Sequence, residues 1–208
     1  MKVLIVDDHA VVRDGVARLV SQIPDAQTFE AETSAAALTL LRKEEPDVVV
    51  LDINLGGSSG LELLQRIKAH ERPAAVIMFS MYSDANYAMR ALRAGASGYV
   101  SKSASVDELV TAIRKVANGE KYVEQELAKE LAFAALDQSD PMLSLTNRET
   151  EILRLLGEGK SLSQIASTFG IAYKTVANSC SRLKEKLGLD RTADLIRVSI
   201  ENRSRQQQ

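Results

Sequence analysis

Acidic, hydroxyl and ammonium side chains in the first half of this sequence share one position: just after a short apolar run. Val3–Val6 ends in Asp7-Asp8, Val48–Leu51 in Asp52, Ala75–Phe79 in Ser80, and Lys102 follows Gly98–Val100. A lone Asp in such a place usually caps a helix or a turn. Asp7, Asp8, Asp52, Ser80 and Lys102 in matching places ask for a shared chemistry. Carboxylates gathered in one cleft repel one another and raise their own pKa values, a cost best relieved by a cation. Hard oxygen donors without His or Cys suit Mg²⁺. A carboxylate beside that ion can attack a phosphoryl group. Lys102 would then offer a positive charge to phosphate oxygens, and the Ser80 hydroxyl a hydrogen bond.

Those residues meet only if the apolar runs are parallel strands. Runs without polar alternation fit strands covered on both faces. Gln27–Ala31 is a weaker, partly polar run that suits a sheet edge. Between the runs lie helical patterns at His9–Ile23, Ser34–Glu44, Ser58–Ala69, Asp84–Ala94 and Ser105–Asn118. Ser34 and Ser105 are candidate N-caps, and Gly95 and Gly119 candidate helix ends. Strand and helix in alternation predict a doubly wound α/β domain. In the flavodoxin-like order 2-1-3-4-5, strands 1 and 3 flank the switch point where such sheets bind ligands. Those strands end in Asp7-Asp8 and Asp52. His9 reads as the first residue of a helix and not as a ligand.

Composition adds bounds. The chain has 208 residues, 45% of them apolar and only 4% aromatic, which gives aliphatic cores and room for two domains. The single cysteine, Cys180, reads as a small buried residue and fits a reducing, cytoplasmic setting. No apolar run approaches the ~20 residues of a membrane span, so no membrane role is expected. Residues 143–208 hold 11 Lys and Arg against 7 Asp and Glu, a net of +4, leaving −6 for the rest of a chain that totals −2. A basic tail behind an acidic head points to a polyanion as partner.

The character changes near the middle. Residues 120–137 read as a helix with Leu127, Leu131 and Ala134/Ala135 on one face, and Gln138-Ser139-Asp140-Pro141 breaks it. The expected organisation is an α/β domain over 1–120, a helical linker over 121–143 and an all-α domain over 144–208. In the last, Thr146 and Glu149 form a capping box. Ser161 or Ser163 starts a second helix, Gln164–Phe169, and Gly170-Ile171-Ala172 turns into a third, Tyr173–Leu187. A short helix, a glycine turn and a longer helix is helix-turn-helix spacing. The residues assigned to a DNA face are Lys174, Thr175, Ala177, Asn178, Ser181, Arg182, Lys184 and Lys186. Small polar residues admit the helix to the major groove, Asn178 can pair with adenine, and the basic residues grip phosphates.

The Asp7-Asp8 pair, Asp52 within Val-Val-Val-Leu-Asp-Ile-Asn-Leu, Ser80, and Lys102 after Gly98-Tyr99-Val100 together resemble a response-regulator receiver domain over residues 1–120. Leu145-Thr146, Arg148-Glu149, Ile152-Leu153, Gly159, Ile165-Ala166, Thr175-Val176 and Lys186-Leu187-Gly188 resemble a LuxR/FixJ-type DNA-binding domain. The resemblance to the NarL/FixJ family implies that Asp52 is phosphorylated by a sensor histidine kinase. It implies that Asp8, Asp52 and the Asn54 carbonyl ligate Mg²⁺, with Asp7 acting through water, and that Lys102 contacts the phosphoryl group. Ser80 would swing toward that group and Tyr99 turn inward behind it. It also implies a four-helix DNA-binding domain, double-stranded DNA as partner, Tyr173–Leu187 as recognition helix, and dimerisation on phosphorylation with Thr192–Glu201 as a contact.

The sequence departs from that family at Gly56-Gly57, where Pro-Gly is usual and a looser loop is expected. Met81 stands where a small residue is usual and could narrow access to Asp52. Ser103 stands where Pro is common, so the Lys102 loop is expected to be shaped differently. Leu162-Ser163, Ala177 and Ser179 replace more polar or charged residues, leaving less charge on the reading face. A haloacid-dehalogenase-like phosphohydrolase would need a carboxylate two residues after its Asp nucleophile. Asn54 stands there and cannot shuttle protons, so a turnover enzyme is not expected.

Overall fold

The computed structural model describes residues 1–55, 58–70, 73–81, 85–136, 142 and 145–205. Gly56-Gly57 and the 138–141 break lie outside the described residues. The chain divides into two compact units, Met1–Leu136 and Asp137–Gln208.

The first unit is a sheet covered by helices. Its expected strands are all present: β1 Lys2–Val6, β2 Gln27–Ala31, β3 Val48–Leu51, β6 Ala75–Ser80 and β7 Gly98–Ser101. They are parallel in the order β2-β1-β3-β6-β7, so the 2-1-3-4-5 order is confirmed. Alternating side chains build two cores. Leu4, Val6, Val49, Leu51, Val76 and Met78 face α2 (Ser34–Glu44), α3 (Gly60–Lys68) and α4 (Ala85–Arg93). Val3, Ile5, Val48, Val50 and Ile77 face α1 (Ala10–Val20) and α5 (Val106–Ala117). Burial on both faces is why these strands are continuously apolar.

Three local features differ from the sequence reading. Ser58–Ser59 is not helical but forms β5, antiparallel to β4 at Asn54–Leu55. Thr33, not Ser34, caps α2, its hydroxyl accepting the Ala36 N–H at 3.2 Å. Ser105 holds the N-cap position of α5 without a side-chain cap bond. The largest difference lies at 121–136. Tyr122–Val123 forms β8, parallel to β7, and α6 (Gln125–Leu136) buries Leu127 among the core of α2, α3 and α4. Most of the segment expected as a linker therefore packs on the first unit. Leu127 and Leu131 find cover there that a free helix would lack.

The second unit is helical: α7 Asn147–Gly157, α8 Leu162–Phe169, α9 Tyr173–Leu187 and α10 Thr192–Arg205. Its core joins Ile152, Leu156, Ile165, Ala166, Val176, Cys180, Leu183 and Leu195. Capping boxes open both α7 (Thr146 with Glu149) and α8 (Ser161 with Gln164). Gly170 ends α8 in the left-handed conformation, φ 62°, which admits the tight turn into α9. No helix among the described residues is long and apolar enough to cross a membrane.

Candidate phosphoacceptor site and DNA-facing helix

The sheet topology brings the strand ends of β1, β3, β6 and β7 to one rim. Asp7, Asp52 and Ser80 are buried there, at 2%, 5% and 0% exposure. Lys102 reaches across from the end of β7. Its ammonium stands 2.6 Å from Asp7 Oδ2 and 2.8 Å from Asp52 Oδ2, with a side chain only 8% exposed. Its backbone N–H donates to the Ser80 carbonyl at 2.7 Å, which ties the β6 and β7 ends together.

Glycine shapes the approach to Asp52. Gly60 donates its N–H to the Ile53 carbonyl at 2.7 Å, and a Cβ built on Gly60 would fall 2.0 Å from the Asp52 carbonyl oxygen. Only glycine lets the start of α3 lie this close. Asn54, at the head of β4, donates its backbone N–H to the Asp52 carboxylate.

Burial pushes the Asp52 carboxyl above the ordinary carboxylate range, and the Asp7 charge adds to that, against the opposing pull of Lys102 and the Asn54 N–H. For Lys102, burial alone would lower the pKa. Hydrogen bonds and charge from Asp52 and Asp7 outweigh it and hold the ammonium above its usual value. The two shifts describe one unresolved electrostatic problem: a buried acid that a single cation only partly neutralises.

Asp7, Asp8, His9 and Asp52 each offer a ligand atom, and these atoms lie within 4.8 Å of one another. The donor set fits a hard divalent cation, being mainly carboxylate oxygen. The charges fit as well, because three carboxylates and one ammonium leave a net of −2 if all are ionised. His9, expected at the start of a helix, holds the N-cap of α1, and its Nδ1 lies 2.8 Å from Asp8 Oδ1 and 3.3 Å from Asp7 Oδ1.

The remaining expected residues fall as follows. Tyr99 is fully buried in the core beneath α4, on the inward side already. Met81, which follows Ser80 at the end of β6, is 72% exposed. Ser103 closes a compact turn: its N–H donates to Ser101 Oγ at 3.1 Å, and the two hydroxyls are 2.6 Å apart.

On α9, Lys174, Thr175, Asn178, Ser181 and Arg182 are exposed, and Ala177 is half-buried. Val176, Cys180 and Leu183 form the opposite, buried face. The C-terminal lysines are engaged within the unit. Lys184 donates to the Asp190 carbonyl at 3.3 Å, and the Lys186 ammonium pairs with Glu149 Oε2 at 2.7 Å. Glu149 also completes the α7 capping box, and the bridge from Lys186 joins α7 to α9. Lys184 and Lys186, expected at the DNA face, thus each hold a partner within the unit, that of Lys186 lying 37 residues away.

Residues 3–114 match the response regulator receiver domain family, and residues 143–199 match bacterial regulatory proteins of the luxR family. The methanol utilization control regulatory protein MoxX of Paracoccus denitrificans is 35% identical, over 94% of this chain and 89% of its own length. RcsB from Salmonella enterica serovar Typhimurium, solved bound to promoter P1flhDC with the phosphomimetic BeF3−, aligns with a TM-score of 0.72. That alignment has 24% identity and covers 97% of this chain and 98% of that one, a likeness of fold. A structure of two RcsB dimers bound to two parallel DNAs aligns with a TM-score of 0.62 at 25% identity, over 96% and 98% of the two chains. With both family models matched and relatives aligned along almost the whole length, this chain belongs to the two-component response regulators that join a receiver to a LuxR-type DNA-binding domain.

Proposed function

We propose that Asp52 accepts a phosphoryl group from a phosphohistidine of a sensor kinase, and that this state controls binding of the second unit to double-stranded DNA. The observation that carries the reading is Asp52 itself: a buried strand-end carboxylate bonded to the Lys102 ammonium at 2.8 Å. Asp52 Oδ attacks phosphorus, the P–N bond breaks, and the imidazole, already protonated on its other ring nitrogen, takes the bonding pair and leaves neutral. Lys102 follows the charge from the carboxylate to the new phosphoryl oxygens. Ser80, at the end of β6, hydrogen-bonds one of those oxygens, and Tyr99 fills the space behind it.

Mg²⁺, when bound, neutralises charge on the phosphoryl oxygens. Asp8, Asp52 and the Asn54 carbonyl would hold it, with Asp7 acting through water. Asn54 leaves no carboxylate to relay protons to a leaving alcohol, so the chain stores an acyl phosphate and does not turn over phosphate monoesters. In the second unit, Lys174, Thr175, Ala177, Asn178, Ser181 and Arg182 read DNA from the exposed face of α9, as a homodimer when phosphorylated. The RcsB complexes with promoter DNA and as dimers support this part. The reading makes the protein a cytoplasmic regulator with no membrane partner.

Selection of DNA sites from a random pool, with and without acetyl phosphate and Mg²⁺, tests both units together. The expected result is one enriched palindromic site whose affinity rises on phosphorylation. No enrichment in either state would leave a regulator without a DNA target.

A further inference from the structure

The backbone that carries Lys102 is tied to an element outside the site. β8 pairs with β7 for only two residues, Tyr122 and Val123, and then leaves the sheet. The next backbone carbonyl, that of Glu124, turns away and accepts the Ala128 N–H at 2.8 Å, opening α6. The ladder on β7 would stop there with the Ser101 N–H unmet. The Glu124 side chain takes the place of the lost carbonyl, its Oε1 accepting that N–H. Glu124 therefore belongs to two elements at once: its main chain starts α6 and its carboxylate ends the β7 ladder.

Ser101 directly precedes Lys102. Around it the chain is a closed turn: Ser103 N–H to Ser101 Oγ at 3.1 Å and Ala104 N–H to the Ser101 carbonyl at 3.1 Å. A displacement of Lys102 carries this turn with it, and the Glu124 bond leads out of the turn into α6. The joint is held on its far side as well, since Tyr122 donates its hydroxyl to Glu108 Oε1 at 2.8 Å. Burial and the nearby Glu108 charge raise the pKa of Glu124, so the bond is held by a carboxylate under electrostatic pressure. Helix α6 then runs to Leu136, where the first unit ends.

We infer that Glu124 is a positioning residue that couples the Lys102 turn to α6, so that the state of Asp52 is passed to the segment leading into the DNA-binding unit. The inference rests on Asp52 being the phosphoacceptor. When Lys102 follows the phosphoryl oxygens and leaves Asp7, the Ser101 N–H is drawn from Glu124 and the first turn of α6 loosens.

Hydrogen exchange of the full-length chain, with and without beryllofluoride and Mg²⁺, reads this directly, and acetyl-phosphate labelling followed by mass mapping reports occupancy of Asp52. In the wild type, exchange in the first turn of α6 is expected to rise about fivefold, the lower end for coupled sites. Glu124→Ala is expected to exchange fast in both states and lose the response. Glu124→Gln, which keeps an acceptor oxygen, is expected to restore it. An undiminished response in Glu124→Ala overturns the inference, as does a labelled wild type whose α6 does not respond. Absence of label on wild-type Asp52 overturns the phosphoacceptor reading itself. Should Glu124→Ala fail to fold, the carboxyl-carbon resonance of Glu124 in the wild type decides: it must move with beryllofluoride, and a fixed resonance overturns the coupling.

Discussion

Asp52 in the first unit and Glu149 in the second are both acids withdrawn from water, 5% and 6% exposed, yet their surroundings push them in opposite directions. Glu149 also suffers from burial, but Lys186 and the Thr146 N–H overcome it and hold its carboxyl below the ordinary range. Asp52 shares one ammonium with Asp7, has Asp8 nearby, and ends above that range. The second unit spends its buried polar groups on each other, which fixes α7 against α9. The first unit leaves a deficit of positive charge at the strand-end rim, where the Asp8 side chain is 27% exposed. A compensated buried acid is a structural joint, and an uncompensated one is a place for a ligand.

The largest expected effect is that of Mg²⁺ on unfolding. Binding to the folded state alone adds about 2.7 kcal/mol at a hundredfold excess over Kd. In calorimetry the first unit's transition should rise and the second's stay fixed, and Asp8→Asn should cancel the rise. Equal shifts of both transitions would mean that the ion acts nonspecifically.

Next comes Lys186→Ala, which strands Glu149. A broken buried pair costs several kcal/mol, but Lys186 is 34% exposed, so water screens the loss to about 2 kcal/mol. Because the folded Glu149 pKa is lowered, its stabilisation is full above the unfolded carboxylate value and is lost as pH falls through the folded one. Wild type and variant should therefore differ in thermal melts at neutral pH and converge in acid. A gap that stays constant with pH would assign Lys186 some other role. The same variant should leave the salt slope of DNA binding unchanged if the pairing with Glu149 is the whole role of this ammonium, and a slope reduced by about 1 would assign it a phosphate contact as well.

The smallest effect belongs to Ser161→Ala. Removing the α8 cap should cost about 1 kcal/mol in melts of the second unit and nothing in the first. A loss in the first unit's transition would mean that this cap acts beyond the second unit's own fold.

Much of this was legible because the signals are local. Apolar runs with no alternation mark four of the five parallel strands, the partly polar Gln27–Ala31 marks the edge strand, and the residues after the apolar runs place Asp7, Asp8, Asp52 and Ser80 at one rim. Thr146 with Glu149, three residues apart, gave the α7 cap. What stayed hidden depends on distant partners. The pairing of Lys186 with Glu149, 37 residues away, leaves no local signal, and Glu124 looks like a linker residue until β8 meets β7. Tyr122–Val123 is too short a strand to register as a pattern, and α6 reads as a linker because the core it covers is built from other helices. Gly60 gave no signal that it lies against the Asp52 carbonyl, since close backbone approach has no sequence period.

The central claim is that the buried, under-neutralised acid at the end of β3 carries the phosphoryl group. Incubation with acetyl phosphate and Mg²⁺, followed by borohydride trapping and peptide mass mapping, tests it at a single residue. One modified position is expected, Asp52, with loss of label by about a hundredfold or more in Asp52→Asn, as removal of a nucleophile requires. Full labelling of Asp52→Asn, or a trapped adduct on another residue of the wild type, would contradict it.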